Sequence, residues 1–177
     1  MTCIAGVAAN GKVCIGGDSA GIAGWSLQTR ADEKVFRNGP FVMGFCGSFR
    51  MGQLLRFKFK PPDHDPRLAD YKFMVTEFID QARQCLKDGG FASKDKEQET
   101  GGTFLVGYKQ GLYLIDSDYQ VGRPALDFAA VGAGDQVALG ALHVLDRLPP
   151  RERVEKALAA AEAHNAAVRG PFVIEEV

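Results

Sequence analysis

Three residues near the amino terminus, Thr2, Asp18 and Lys34, have the types and spacing for nucleophilic chemistry. If Met1 is removed, which a small second residue favours, Thr2 becomes the first residue. A terminal threonine carries a nucleophilic hydroxyl and, in its α-amino group, a base with an ordinary pKa of about 7.7–8.0. A neighbouring ammonium lowers the pKa of that amine, and a carboxylate keeps the ammonium oriented. Each residue alone is also typical of ordinary strand and turn positions, so the combination carries the prediction.

The surrounding strands are predicted to bring the three residues together. Residues 2–9 are apolar, and residues 12–17 are predicted to be the returning strand. Between them lies Asn10-Gly11, a dipeptide typical of tight hairpin turns because both of its residues adopt positive φ. Asp18 therefore ends the strand that pairs with the Thr2 strand.

Lys34 is predicted to begin a second hairpin. Residues 34–37 and 41–47 form its two strands, and Asn38-Gly39-Pro40 forms its turn. The segment 19–32 has no hydrophobic period and is predicted to be a loop.

The remaining chain is predicted to contain two helices, then a group of strands, then two further helices. Residues 87–100 are polar and are predicted to be mobile. Clustered rather than alternating elements are typical of α+β proteins with antiparallel sheets. We expect a four-layer αββα sandwich of two antiparallel sheets in a single domain, 1–177. The predicted helices are 49–60, 70–86, 135–147 and 151–167, and the further strands are 102–109, 112–116, 127–132 and 171–174.

Composition excludes several classes of protein. The 177 residues are 46% hydrophobic and 24% charged with a net charge of −1, which excludes a disordered chain and gives no global field for nucleic acid or a membrane surface. No apolar run spans a bilayer, and no signal-peptide pattern is present, so we expect a cytoplasmic protein. The four cysteines and three histidines form no metal-ligand pattern, so neither a metal nor a cofactor is predicted.

Four segments carry a resemblance to a known family, and together they extend over nearly the whole chain. They are TCIAGVAANGKVCIGGD, FVMGFCGS, AVGAGDQVALGAL and EKALAAAEAHNAAVRGPFVIEEV. The chain resembles the peptidase subunits of the proteasome family, in the branch of HslV and the betaproteobacterial proteasome homologue. The resemblance implies the fold of the N-terminal-nucleophile hydrolases.

The resemblance also implies roles for individual residues. Thr2 would be the nucleophile, Lys34 would set the pKa of the amine, and Asp18 would be the partner of Lys34. The N–H of Gly47 would form the oxyanion hole, although a helix-start turn is the alternative explanation for this glycine. Substrate would add as a strand between the segment around Ile22 and residues 47–49, and Phe49 would narrow the primary side-chain pocket.

The assembly implied by the resemblance is a homo-oligomeric double ring of twelve or fourteen subunits. Its sites would face inward and cleave unfolded polypeptide, with an AAA+ unfoldase as a candidate partner. The loop 61–69 and the stretch 87–100 are candidate pore or interface elements.

Two departures from the family pattern keep other functions open. The family's Gly-Ser-Gly is Gly132-Ala133-Gly134, and the aspartate of its Gly-Asp is Ala163. Ser19, Asp135 or Glu162 could replace the missing groups. The alternatives are an inactive ring or scaffold subunit and a small-amide hydrolase of the same nucleophile class. Cys3 would be the nucleophile only if Thr2 were also removed.

Overall fold

The structure is a computed structural model that describes every residue from Met1 to Val177. The strands are β1 (Ile4–Ala9), β2 (Lys12–Gly17), β3 (Ala20–Ala23), β4 (Ser26–Thr29), β5 (Val35–Asn38), β6 (Phe41–Phe45), β7 (Ser93–Asp95), β8 (Gln98–Thr100), β9 (Phe104–Tyr108), β10 (Gly111–Ile115), β11 (Val121–Gly122), β12 (Phe128–Val131) and β13 (Val173–Glu176). The helices are α1 (Phe49–Phe57), α2 (Asp70–Phe73), α3 (Ile79–Asp88), α4 (Asp135–Val144) and α5 (Pro150–His164). A π-helical segment, Met74–Phe78, joins α2 and α3 into one continuous helix.

Two fully antiparallel sheets form the centre of the molecule. One has the order β12-β1-β2-β13 and the other the order β11-β10-β9-β6-β5. The predicted first turn is present, because Asn10 and Gly11 both have positive φ between β1 and β2. The second hairpin, β5–β6, turns at Gly39, which also has positive φ.

Three apolar clusters correspond to the three interfaces between four layers. One lies between the five-stranded sheet and the helices α1 to α3, and a second lies between the four-stranded sheet and α4 and α5. The third lies between the sheets and includes Ile4, Ile15, Val35 and Leu105. The predicted four-layer αββα sandwich is therefore confirmed.

The prediction of a loop over 19–32 is wrong for most of that segment. Strands β3 and β4 pair as a separate hairpin, with Ile22 opposite Leu27. All four residues of β4 are exposed, and Trp25 at the tip is fully exposed. Because neither face of β4 is buried, the sequence shows no alternating hydrophobic pattern from which a strand could be predicted.

The polar stretch 87–100 also contains a hairpin, β7–β8, whose turn residue Lys96 has positive φ. Every residue of β7 is exposed, so this hairpin lacks a hydrophobic signal too. None of the helices is both long and apolar enough to cross a lipid bilayer. Three helices end earlier than predicted, at Phe57 rather than Lys60, at Val144 rather than Arg147 and at His164 rather than Ala167.

Candidate active site

Asp18 and Lys34 form a buried ion pair at the ends of two strands. Asp18 follows β2 and is 1% exposed, while Lys34 precedes β5 and is 2% exposed. The Lys34 Nζ donates to Asp18 Oδ1 across 2.9 Å. Because the pair lies out of water, each charge depends on the other for compensation.

Three backbone N–H groups from different segments also donate to the Asp18 carboxylate. The N–H of Cys3 lies 3.0 Å from Oδ1, and those of Ala20 and Arg169 lie 2.9 and 3.3 Å from Oδ2. With Lys34 this makes four donors on one carboxylate. The aspartate thus ties together β1, β3, the residue before β5 and the carboxyl-terminal segment. The Arg169 contact was missed at the sequence level because a backbone donor has no side-chain signal.

Thr2 is directly adjacent to this cluster, since the next residue, Cys3, donates to Asp18. Thr2 is 2% exposed, and its hydroxyl donates a hydrogen bond to the carbonyl oxygen of Met1. The carbonyl oxygen of Thr2 accepts from the N–H of Gly134 across 3.2 Å. A methyl group added to Gly132, which has a φ of +102°, would overlap the Thr2 carbonyl. The main chain of Thr2 is therefore held closely against the segment before α4.

The electrostatics of the cluster follow from its burial. Burial lowers the pKa of Lys34, and the charge and hydrogen bond of Asp18 oppose that shift. Burial, together with the charges of Asp18 and Asp135, raises the pKa of the Cys3 thiol to about 12. Cys3 therefore stays a protonated thiol at neutral pH, and a buried neutral thiol is a poor nucleophile.

Gly47 lies in the turn between β6 and α1 with a φ of +89°. Its N–H donates no hydrogen bond within the chain, so the group is free for another acceptor. The neighbouring Ser48 caps α1 by accepting from the N–H of Arg50 across 3.1 Å. The turn thus both starts the helix and leaves the N–H of Gly47 without a partner in the chain.

A groove of about 240 Å³ is lined by two of the three residues predicted to contact substrate, Ile22 and Phe49, whereas Gly47 does not line it. Arg30 lines the same groove and places its guanidinium carbon 4.2 Å from the centroid of the Phe49 ring. Arg30 is in turn held by Asp32 through two hydrogen bonds of 2.6 Å. Arg30 was not predicted as a site residue, because 19–32 showed no pattern.

Phe49 separates this groove from a smaller cavity. The second cavity, of about 70 Å³, lies between Phe49, Phe45 and Gly52. The rings of Phe49 and Phe45 meet edge to face with centroids 5.8 Å apart. Phe49 is the only residue that lines both the groove and the cavity, so its large side chain divides two spaces that a small residue would leave connected.

The two departures from the family pattern lie on the surface, since Ala133 and Ala163 are both exposed. Asn165 donates from its side-chain amide to the carbonyl oxygen of Ala133 across 2.6 Å. This contact joins the end of α5 to the segment before α4. Asn165 was also missed at the sequence level.

The other reactive side chains lie outside this cluster or are bound elsewhere. His64 is hydrogen-bonded to the Tyr108 hydroxyl and the Leu68 carbonyl, each across 2.9 Å. Cys46 is half-buried next to Gly47, and its thiol lies 3.4 Å from the Thr103 carbonyl oxygen. The structure contains no group of three or more His, Cys, Asp or Glu residues placed to hold a metal ion.

No protein-family model matches the chain. Among solved structures, it is similar to the BPH of Thiobacillus denitrificans, free and in complex with epoxomicin. The complex gives a TM-score of 0.82 at 21% identity over 99% of this chain and 98% of that one. The free protein gives 0.81 at 20% identity over 99% and 97%. The eukaryotic HslV from Trypanosoma brucei gives 0.69 at 19% identity over 99% and 98%.

These likenesses establish the fold along almost the entire chain. The resemblance to bacterial proteasome homologues and HslV, inferred from four sequence segments, is confirmed as a structural one. The chain therefore has the four-layer αββα fold that these proteins share.

Proposed function

We propose that the chain is a threonine-type peptidase whose nucleophile is Thr2 after removal of Met1. The observation that carries the proposal is the buried Lys34–Asp18 pair, whose carboxylate also binds the N–H of the residue directly after Thr2. A buried cation beside the terminal amine favours its neutral form, which can accept a proton.

The reaction follows from the groups present. The Thr2 Oγ forms a bond to the substrate carbonyl carbon and its proton passes to the Thr2 amine. The protonated amine returns that proton to the leaving nitrogen when the peptide bond breaks, which leaves an ester on Thr2. Water then attacks the ester with the amine as base, releases the acid and restores the hydroxyl.

Gly47 would stabilise the oxyanion formed in both steps. Its N–H is unpaired, and one such donor contributes roughly 2.7–4 kcal/mol to the transition state. The groove with Ile22 and Phe49 would hold the extended substrate, which would pair with the free edge of β3.

The substrate and assembly belong to the same proposal. We propose a single domain that forms a homo-oligomeric double ring and cleaves unfolded polypeptide in the cytoplasm, with an AAA+ unfoldase as candidate partner. The likeness in fold to BPH and HslV over nearly the whole chain supports a ring. No cofactor is needed, because the hydroxyl, amine and N–H donor come from the chain.

The test is covalent labelling of the purified protein with epoxomicin, read by intact mass. This inhibitor is chosen because the structurally similar BPH of T. denitrificans forms a complex with it. We expect loss of Met1, addition of one whole inhibitor and mapping of the adduct to Thr2. Thr2→Ala should keep the oligomer and abolish both labelling and peptide hydrolysis.

The rival functions give different results in the same experiment. A protein that retains Met1 and takes no label would be the scaffold subunit. A protein that takes the label but turns over small amides and no peptides would be the small-amide hydrolase. Residual hydrolysis by Thr2→Ala would mean that another residue is the nucleophile.

A further inference from the structure

The proposed mechanism needs a group that orients the Thr2 amine, and the residue expected from the family pattern is absent. Ala133 has no hydrogen-bonding side chain at the position of the family's serine. Ser19, Glu162 and Asp135 are the polar side chains that could replace it. Their surroundings in the structure differ.

Two of these three side chains are committed elsewhere. The Ser19 hydroxyl donates to the Pro171 carbonyl oxygen across 2.6 Å and holds the carboxyl-terminal segment. The Glu162 carboxylate accepts from the N–H of Gly170 across 3.0 Å. Either would have to give up a structural hydrogen bond to serve the amine.

The Asp135 side chain is uncommitted, and Asp135 directly follows a residue that is hydrogen-bonded to Thr2. It is the first residue of α4, and its carboxylate has no hydrogen-bond or salt-bridge partner. The preceding residue, Gly134, donates to the Thr2 carbonyl oxygen across 3.2 Å, and the N–H of Asp135 itself donates to Gly132 across 3.1 Å. Asn165 fixes the same segment through the Ala133 carbonyl. Asp135 thus belongs to a turn whose main chain already binds Thr2.

The pKa values of two neighbouring thiols also indicate that Asp135 lies near Thr2. The Asp135 charge raises the pKa of both Cys3, which follows Thr2, and Cys46, whose Cβ lies beside Gly132. The ammonium group of Met1 acts on Cys46 in the opposite direction and lowers its pKa. Cys46 therefore lies within the electrostatic range of both Asp135 and the Met1 amine, which precedes Thr2 by one residue.

We propose that Asp135 is a positioning residue that binds the α-amino group of Thr2 and directs it towards the Thr2 hydroxyl. This inference rests on the proposed removal of Met1. The first turn of α4 would thus supply the group that orients the amine, in place of the family's serine at position 133.

The charges around the amine set the sign of the expected effect. Lys34 lowers the pKa of the amine, whereas a carboxylate at hydrogen-bond distance raises it. The other titratable groups of this region are Asp18, which is paired with Lys34, the neutral thiols of Cys3 and Cys46, and the more distant Asp116. Removal of the Asp135 charge should therefore lower the pKa of the amine.

The test uses the assembled, Met1-free protein and two readouts. Competitive acetylation with acetic anhydride over a pH series, read in the amino-terminal peptide by mass spectrometry, gives the titration midpoint of the amine without requiring activity. The rate of epoxomicin attachment reports the reaction itself. The variants are Asp135→Asn and Asp135→Glu, with Asp146→Asn as the control, since Asp146 is exposed beyond the far end of α4.

For Asp135→Asn we expect the acetylation midpoint to fall by about one pH unit and labelling to slow by about tenfold. Asp135→Glu should restore much of both, and Asp146→Asn should match the wild type. An unchanged midpoint in Asp135→Asn would overturn the inference, even if labelling slowed because α4 was disturbed. Retention of Met1 would overturn it as well. A shifted midpoint in a protein that takes no label would support the contact and overturn the proposed peptidase.

Discussion

The buried ion pair and the substrate groove are built in contrasting ways, although they are neighbours. Asp18 and Lys34 are almost fully buried, and the carboxylate is held by four donors from four segments of the chain. The groove lies beside β4, which is exposed along its whole length. Its shape depends on the stacking of Arg30 on Phe49.

This contrast separates what the fold determines from what single side chains determine. Main-chain donors fix the pair, so its geometry survives most surface substitutions. The groove depends on side chains at its rim, so its selectivity can change while the layers stay intact. The two regions meet at Phe49. Its ring centroid lies 5.8 Å from the Lys34 ammonium, and its side chain also lines the groove.

The largest effect is expected from Lys34→Met. The substitution removes the cation and leaves the Asp18 carboxylate buried without its charge partner. We expect the free energy of unfolding in urea to fall by about 3–5 kcal/mol and peptide hydrolysis to be lost.

The matched control is the double variant Lys34→Met with Asp18→Asn. It removes both charges, so part of the stability should return while hydrolysis stays absent. The return is incomplete because the asparagine amide nitrogen cannot accept from the backbone N–H groups that bind both oxygens of Asp18. If Lys34→Met were as stable as the wild type, the ion pair would contribute nothing to the stability of the fold. The contrast between the ion pair and the groove would then not hold.

A second, smaller effect is expected from Gly132→Ala. The added methyl overlaps the Thr2 carbonyl and the residue has positive φ, so we expect a loss of roughly 3 kcal/mol in unfolding free energy and slower hydrolysis. Gly24→Ala is the matched control, because Gly24 has a φ of +58° but open space around it in the β3–β4 turn. Equal losses for the two variants would show that backbone strain acts alone, without crowding at Thr2.

The smallest effect on stability, and the sharpest on selectivity, is expected from Phe49→Ala. It should join the groove to the cavity beside Gly52 and raise kcat/KM for substrates with a large side chain before the cleaved bond, relative to a small one, by about tenfold. Leu126→Ala, at an exposed apolar residue, is the control for loss of hydrophobic surface. An unchanged ratio in peptide assays would mean that Phe49 does not border the substrate.

The same contrast explains how much could be predicted from the sequence. Asn10-Gly11 and Gly39 are local signals, and they predicted the two hairpins that bring Asp18 and Lys34 together. The apolar patterns of the helices and inner strands predicted all four layers. These elements bury at least one face, and their sequences record that burial.

The fully exposed strands and the contacts between distant residues have no such record. Strand β4 and strand β7 are exposed, so their residues show no burial pattern. The Arg169 donor to Asp18 is a backbone group 151 residues away along the chain, and nothing in its side chain predicts the contact. The stacking of Arg30 on Phe49 likewise depends on how β4 returns to the body of the protein.

The pairing of β13 with β2 has a consequence for how the protein is made. Synthesis delivers the threonine and both charged partners early, but the donor at Arg169 and the anchor of Ser19 at Pro171 emerge from the ribosome late. In the proposed enzyme, an unfinished chain would carry a nucleophile without a completed pocket around its aspartate. Hydrolysis would therefore begin only after these residues have been translated and have folded, so a partly synthesised chain would be inactive.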